Sequence, residues 1–93
     1  MISPYVMVRL GGHFTAGASK YGDRNWEKGQ TFEHVNSSFL RHYNAWLMGE
    51  TDEDHLIAAL WNLHALVHFE EMIKRGKLDP ALNDLPFTNK ELT

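Results

Sequence analysis

The chain has 93 residues, 43% of them apolar and 23% charged, which fits one globular domain and excludes both a two-domain enzyme and a disordered segment. A net charge of −3 and a pI near 6.0 argue against sequence-independent binding to duplex nucleic acid, while small anions stay within reach of local basic clusters. With no cysteine there can be no disulfide, thiolate metal site or thiol nucleophile, so His and carboxylates are the strong metal ligands left.

From Pro4 to about Ser19 the positions Val6, Leu10, Phe14 and Gly17 recur at helical spacing, and Pro4 suits a helix start. Gly11 and Gly12 weaken that helix by roughly 1 kcal/mol each relative to Ala. Ser19 to Gln30 lacks apolar periodicity and reads as a loop in which Lys20, Arg24 and Lys28 interleave with Tyr21 and Trp26. Thr31 is a fitting N-cap for a second helix that runs to Leu47 or Met48 and stops at Gly49, with Val35, Phe39, His42 and Trp46 on its inward face. A third helix starts near Asp52 to Asp54 and runs to about Lys74, where Gly76 stops it. Its stripe of His55, Ala59, Asn62, Leu66 and Phe69 is widened by Leu56, Leu60, Leu63 and Val67, which predicts burial over much of its circumference. The expected architecture is therefore all-α, a small helical bundle over residues 1–76 with an irregular tail, 77–93, lying on the domain or on a neighbouring subunit. So thin a core predicts completion by oligomerisation, as a homodimer or homotetramer. No apolar run approaches the ~18 residues of a membrane span and no signal-peptide pattern is present, so the expected location is the cytoplasm, with no membrane partner.

Four groups of residues can carry chemistry. In the loop, Lys20, Arg24 and Lys28 can bind phosphates, Asn25 can read a base or ribose edge, and Tyr21 or Trp26 offers a face for stacking; the structural alternative is a surface loop in which Trp26 plugs the core. On the second helix His42 is either a satisfied core histidine, bonded to a carboxylate of the third helix, or a ligand or general base beside Arg41 as phosphate clamp. The acidic run Glu50, Asp52, Glu53, Asp54 followed by His55 offers hard oxygen ligands for a divalent ion, with complementarity to the helix dipole as the simpler reading. His64, His68 and Glu71 have ligand-like spacing, but no distant third ligand can be named for them, and they read as structural.

Taken in order, GASKYGDRNWEKG, a helix with SSFLRHYNAWLMGE, and DEDHLIAALWNLHAL resemble the phage-enriched dATP/dGTP diphosphohydrolase N-terminal-domain family over roughly residues 10 to 70. That family is similar in fold to the all-α MazG-like nucleoside triphosphate pyrophosphatases. The resemblance implies Mg²⁺ or Mn²⁺ held by helix carboxylates, and cleavage of a nucleotide between its α- and β-phosphates. Residue by residue it marks Lys20, Tyr21, Gly22, Arg24, Asn25 and Trp26 in the loop, then Arg41, His42, Trp46 and Glu50, then His55 and Asn62. The second helix departs from the ExxE and ExxD pairs of MazG-like enzymes, and Ala58 stands where the family often has a second His.

The enzyme reading assigns His42 and Glu50 to catalysis, Glu50, Asp54 and His55 to metal, and Lys20, Tyr21, Arg24, Asn25, Trp26, Arg41 and Asn62 to a purine dNTP. The alternative is a viral nucleotide sponge, needing no cofactor, that sequesters a cyclic-oligonucleotide immune signal in the host cytoplasm. A purely structural helix bundle is the third reading, and the cation-aromatic loop argues against it.

Overall fold

The computed structural model describes residues 1–22 and 24–88, Ala18 and Tyr21 by their backbone alone. Helices α1 (Pro4–Tyr21), α2 (Phe32–Leu47) and α3 (His55–Lys74) are accompanied by short 3-10 turns at Asn25–Lys28 and Pro80–Leu82. No strand occurs among the described residues, so the chain is a small all-α domain. None of the described helices is long and apolar enough to cross a membrane.

Local chemistry sets the helix ends. Thr31 is extended and its hydroxyl accepts the His34 N–H at 3.3 Å, which satisfies one of the orphan donors at the start of α2. A second orphan, the Glu33 N–H, donates to the Asp84 carboxylate at 2.9 Å, so the C-terminal segment helps to cap α2. Asp54 caps α3 by accepting from the Ile57 N–H at 3.3 Å. At the far end of α3 Gly76 takes φ +74°, the left-handed conformation of a glycine stop.

α2 and α3 form the main pair, and Phe32, Val35, Ala65 and Phe69 are the buried core between them. Leu78, Leu82 and Leu85 pack on that core, which seats the C-terminal segment against the domain. Where it passes the loop, Gly29 has φ +92°, a backbone conformation that favours glycine, and a Cβ there would lie 2.8 Å from Leu82 Cδ1, so that the leucine side chain would have to shift. α1 lies across α3 through Phe14, whose ring sits 5.8 Å from Trp61 and 5.3 Å from His64.

Three sequence expectations need correction. The Ser19 to Gln30 segment is not all loop: α1 continues to Tyr21 and Asn25–Lys28 form a 3-10 turn, because Trp26 turns in to pack on the core. Trp46 does not face inward; it is 44% exposed and stacks on Tyr43 at 5.8 Å, while Ala45 takes the buried position. Leu56, Leu60, Leu63 and Val67 do not widen the buried stripe but stay exposed, Val67 at 67%, since α1, α2 and the C-terminal segment cover the other sides of α3.

Candidate functional site

The end of α1, the loop after it and the facing sides of α2 and α3 enclose a cleft of about 1020 Å³. Of the four cations expected to meet phosphates, three border it from three elements, Lys20 on α1, Arg24 in the loop and Arg41 on α2, whereas Lys28 is not among the bordering residues. Asn25, Trp26, His42 and Asn62 border it too. Of the loop residues expected to touch a ligand, the Tyr21 side chain lies outside the described residues.

Arg24 has φ 59°, the left-handed region that non-glycine residues rarely adopt. Its guanidinium is 82% exposed and 3.9 Å from Glu27, a pairing that solvent screening leaves worth little. The backbone, rather than this pair, aims the side chain. Trp26 combines both sequence readings: its ring lies 4.8 Å from His68, 5.6 Å from Phe14 and 5.7 Å from Trp61, so it packs into the core while still bordering the cleft. Asn62 is buried, and its amide donates to Ser38 Oγ at 3.2 Å and to the Ala58 carbonyl at 3.0 Å. Both amide hydrogens are thereby used in bracing α3 to itself and to α2, and the carbonyl oxygen is what Asn62 can offer a ligand.

At the α2–α3 corner stands a chain of polar groups. The Asp52 carboxylate is 2.7 Å from His55 Nε2, and His55 Nδ1 is 2.9 Å from His42 Nδ1. A carboxylate only accepts, so His55 donates from Nε2 and its Nδ1 lone pair accepts from His42 Nδ1–H, a tautomer assignment that the network dictates. Glu53 adds a carboxylate oxygen 3.7 Å from His42 Nδ1. His42 is 8% exposed, and burial pushes its pKa below the ordinary histidine value, helped by the charge of Arg41 and opposed by Glu53. It is therefore neutral at pH 7. The bond from His55 holds the Asp52 carboxyl below the usual carboxylate range.

Residues 1–79 match the family described as dATP/dGTP diphosphohydrolase, N-terminal. The chain belongs to this family. No curated protein and no solved structure matches it. The family match takes in all three helices and the described part of the loop between α1 and α2, so every bordering residue named above lies within the matched residues.

The acidic run divides between two duties. Asp54 accepts a two-point bond from Arg9, at 2.6 Å and 3.0 Å, besides capping α3, and these contacts keep its carboxyl below the usual range. Glu50 stands with Asp52 and His55 and is not among the residues that border the cleft, whereas Glu53, which does border it, stands with His42 and His55. Among the described residues each grouping that could hold an ion includes His55, and none is made of carboxylates alone. The carboxylate cage that the family resemblance implies for Mg²⁺ does not fit that donor set.

His13 and Ser38 border the cleft and were not singled out by sequence reasoning, whereas Glu53, which also borders it, was one of the four acids of the run offered as metal ligands. For His13 a signal existed: it lies three residues after Leu10 and four before Gly17, on the face that α1 presents to the domain. Its ring is 5.5 Å from Trp61 and burial lowers its pKa. The His64 ring sits 5.3 Å from Phe14, 5.3 Å from Trp26 and 6.1 Å from Trp61, with its Nδ1 buried.

Proposed function

We propose that this cleft binds a purine deoxynucleoside triphosphate, with the phosphates among Lys20, Arg24 and Arg41 and the base toward Asn25 and Trp26, in the service of a diphosphohydrolase that yields monophosphate and pyrophosphate. The observation that carries the reading is the convergence of three cations from three elements on one cleft that also presents an aromatic ring and an amide. A triphosphate carries its charge at one end and a flat, hydrogen-bonding base at the other, and the residues that border the cleft include cations for the first and an aromatic ring and an amide for the second. The family description supports a nucleotide as the ligand. His42, neutral and on the Arg41 side of the cleft, is the group positioned to accept a proton or to hold an ion. An ion held there would supply polarisation of the phosphoryl group and activation of water. The reading places the protein in the cytoplasm, that of the host if it is viral, as a homodimer or homotetramer.

The absence of an all-carboxylate grouping among the described residues favours a second reading, a non-catalytic sponge for a cyclic oligonucleotide. One experiment separates the two: incubation with Mn²⁺ and a panel of deoxynucleoside triphosphates and cyclic dinucleotides, followed by chromatography of bound, released and cleaved nucleotide. Monophosphate and pyrophosphate accumulating over many turnovers is the expected result. Intact nucleotide recovered only after denaturation would establish the sponge, and no retained or cleaved nucleotide would remove both. Arg24→Ala and Arg41→Ala should each weaken binding by about 1–3 kcal/mol, the size of a lost charge-assisted contact. Retained affinity in both variants would eliminate the phosphate clamp.

A further inference from the structure

We propose that His42, Glu53 and His55 form a site for one first-row divalent transition ion at the wall of the cleft, with Asp52 as the group that fixes His55 for the purpose. The inference rests on metal-free geometry, and on the nucleotide reading only for what the ion's open face meets.

Two imidazole nitrogens 2.9 Å apart, both on buried side chains, with a carboxylate oxygen 3.7 Å from one of them, can converge on a single point. Nitrogens bound to one ion at about 2.1 Å each lie about 3 Å apart when the angle between them is near 90°, and about 3.4 Å apart at a tetrahedral angle. The observed separation already suits the former and needs a shift of a few tenths of an ångström for the latter. The second, independent observation is the 2.7 Å contact between Asp52 and His55 Nε2. A carboxylate that holds one ring N–H fixes the tautomer, aims the opposite lone pair and raises its basicity, and metal-binding histidines are characteristically held in this way. In the metal-free protein the hydrogen bond from His42 Nδ1 occupies that lone pair. On binding, His42 takes its proton at Nε2 instead and the ion replaces the bridging hydrogen, so no net proton is released from the neutral ring.

The donor set decides the ion. Two imidazoles with one carboxylate suit Zn²⁺, Co²⁺, Fe²⁺ or Ni²⁺, whereas Mg²⁺ favours oxygen ligands and retains its waters. Glu53 and His42 border the cleft, so the remaining coordination positions open toward the phosphate-binding cations. The competing arrangement, Glu50 with Asp52 and His55, uses carboxylates that do not border the cleft.

The test is titration of chelator-treated, nucleotide-free full-length protein with Co²⁺, read by its visible d–d absorption and by calorimetry. The expected result is one Co²⁺ per chain, displaced by Zn²⁺ and not by excess Mg²⁺. Glu53→Gln and Asp52→Asn should each weaken binding by about tenfold or more, and each by more than Glu50→Gln does. Glu53 and Asp52 are exposed, so these variants keep the fold, with helical circular dichroism as the check, and neither depends on the riskier removal of a buried histidine. Absence of Co²⁺ binding, displacement by Mg²⁺, or a loss that follows Glu50 rather than Glu53 would overturn the site. Nucleotide affinity measured separately in excess chelator keeps the outcomes distinct: a metal site without nucleotide binding sinks only the nucleotide reading, and the reverse sinks only the metal site.

Discussion

Arg24 shows how a single residue can trade stability for position. Its left-handed backbone costs roughly 1–2 kcal/mol for a side chain with a Cβ, and its exposed contact with Glu27 returns little of that. Arg24→Gly should therefore leave thermal stability unchanged or raise it by up to about 1 kcal/mol, after the greater chain entropy of glycine is counted. The same variant should lose nucleotide affinity as Arg24→Ala does. A melt that falls by several degrees would show that the arginine side chain supports the fold.

His64 carries a second prediction at this scale. Burial among Phe14, Trp26 and Trp61, with His68 as a like-charged neighbour, holds its pKa below the ordinary value. The unfolded chain then binds protons that the folded one refuses, so the stabilising contribution is complete above about pH 6.5 and declines as pH falls from there through the lowered folded-state value. His13 shifts in the same direction for the same reason. Melting temperature should drop on acidification through this window, and His64→Gln should flatten the drop. An unchanged pH profile in that variant would show that His64 takes up its proton freely in the folded state.

At the scale of elements, the helices were legible because their ends carry local chemistry. Thr31, Asp54 and Gly76 each satisfy or terminate a backbone run within a few residues, and the expected boundaries of α2 and α3 hold to within a residue or so. The Asp84 cap on α2 was not legible, because a bond between residues 51 apart in sequence leaves no periodic trace. Asp84→Ala should cost about 1 kcal/mol by freeing the Glu33 N–H, measurable by urea unfolding. The site was legible in part for a similar reason. Loop cations and the Arg41–His42 pair announced themselves by type, whereas Glu53 looked like one of four interchangeable acids until the turn set it beside His42 and gave Asp54 to Arg9. Gly11 and Gly12 illustrate the converse: a Cβ at either would meet nothing within 4 Å, so their presence in α1 is not required by packing within the chain. Gly11→Ala and Gly12→Ala should each stabilise the domain by roughly 0.5–1 kcal/mol; a loss would mean that a neighbouring surface approaches α1 there.

The whole molecule has a core between α2 and α3 and an uncovered apolar side. Leu56, Leu60 and Leu63 on α3 meet Phe39 and Tyr43 of α2 and Val6 of α1 around an apolar hollow of about 550 Å³, with Trp46 and Val67 exposed beyond it. Sequence periodicity marked the α3 leucines as buried, and within a single chain they are not. A pattern that specifies burial, on a helix apolar nearly all round, is reconciled with exposure when a second copy supplies the missing cover. Facing leucine stripes would also add the apolar burial that a chain of 93 residues lacks by itself. Gel filtration with light scattering should accordingly give a dimer or tetramer, and Leu60→Glu combined with Leu63→Glu should reduce it to a monomer that keeps its helical circular dichroism. Both leucines lie on the side of α3 away from the cleft, whose α3 border is Ala58, Trp61 and Asn62. Nucleotide binding that survives in the monomeric variant would make each cleft self-sufficient, whereas its loss would mean that the assembly holds the cleft in shape. A wild-type chain that runs as a monomer at all concentrations would refute the oligomer and leave the α3 stripe for a different partner.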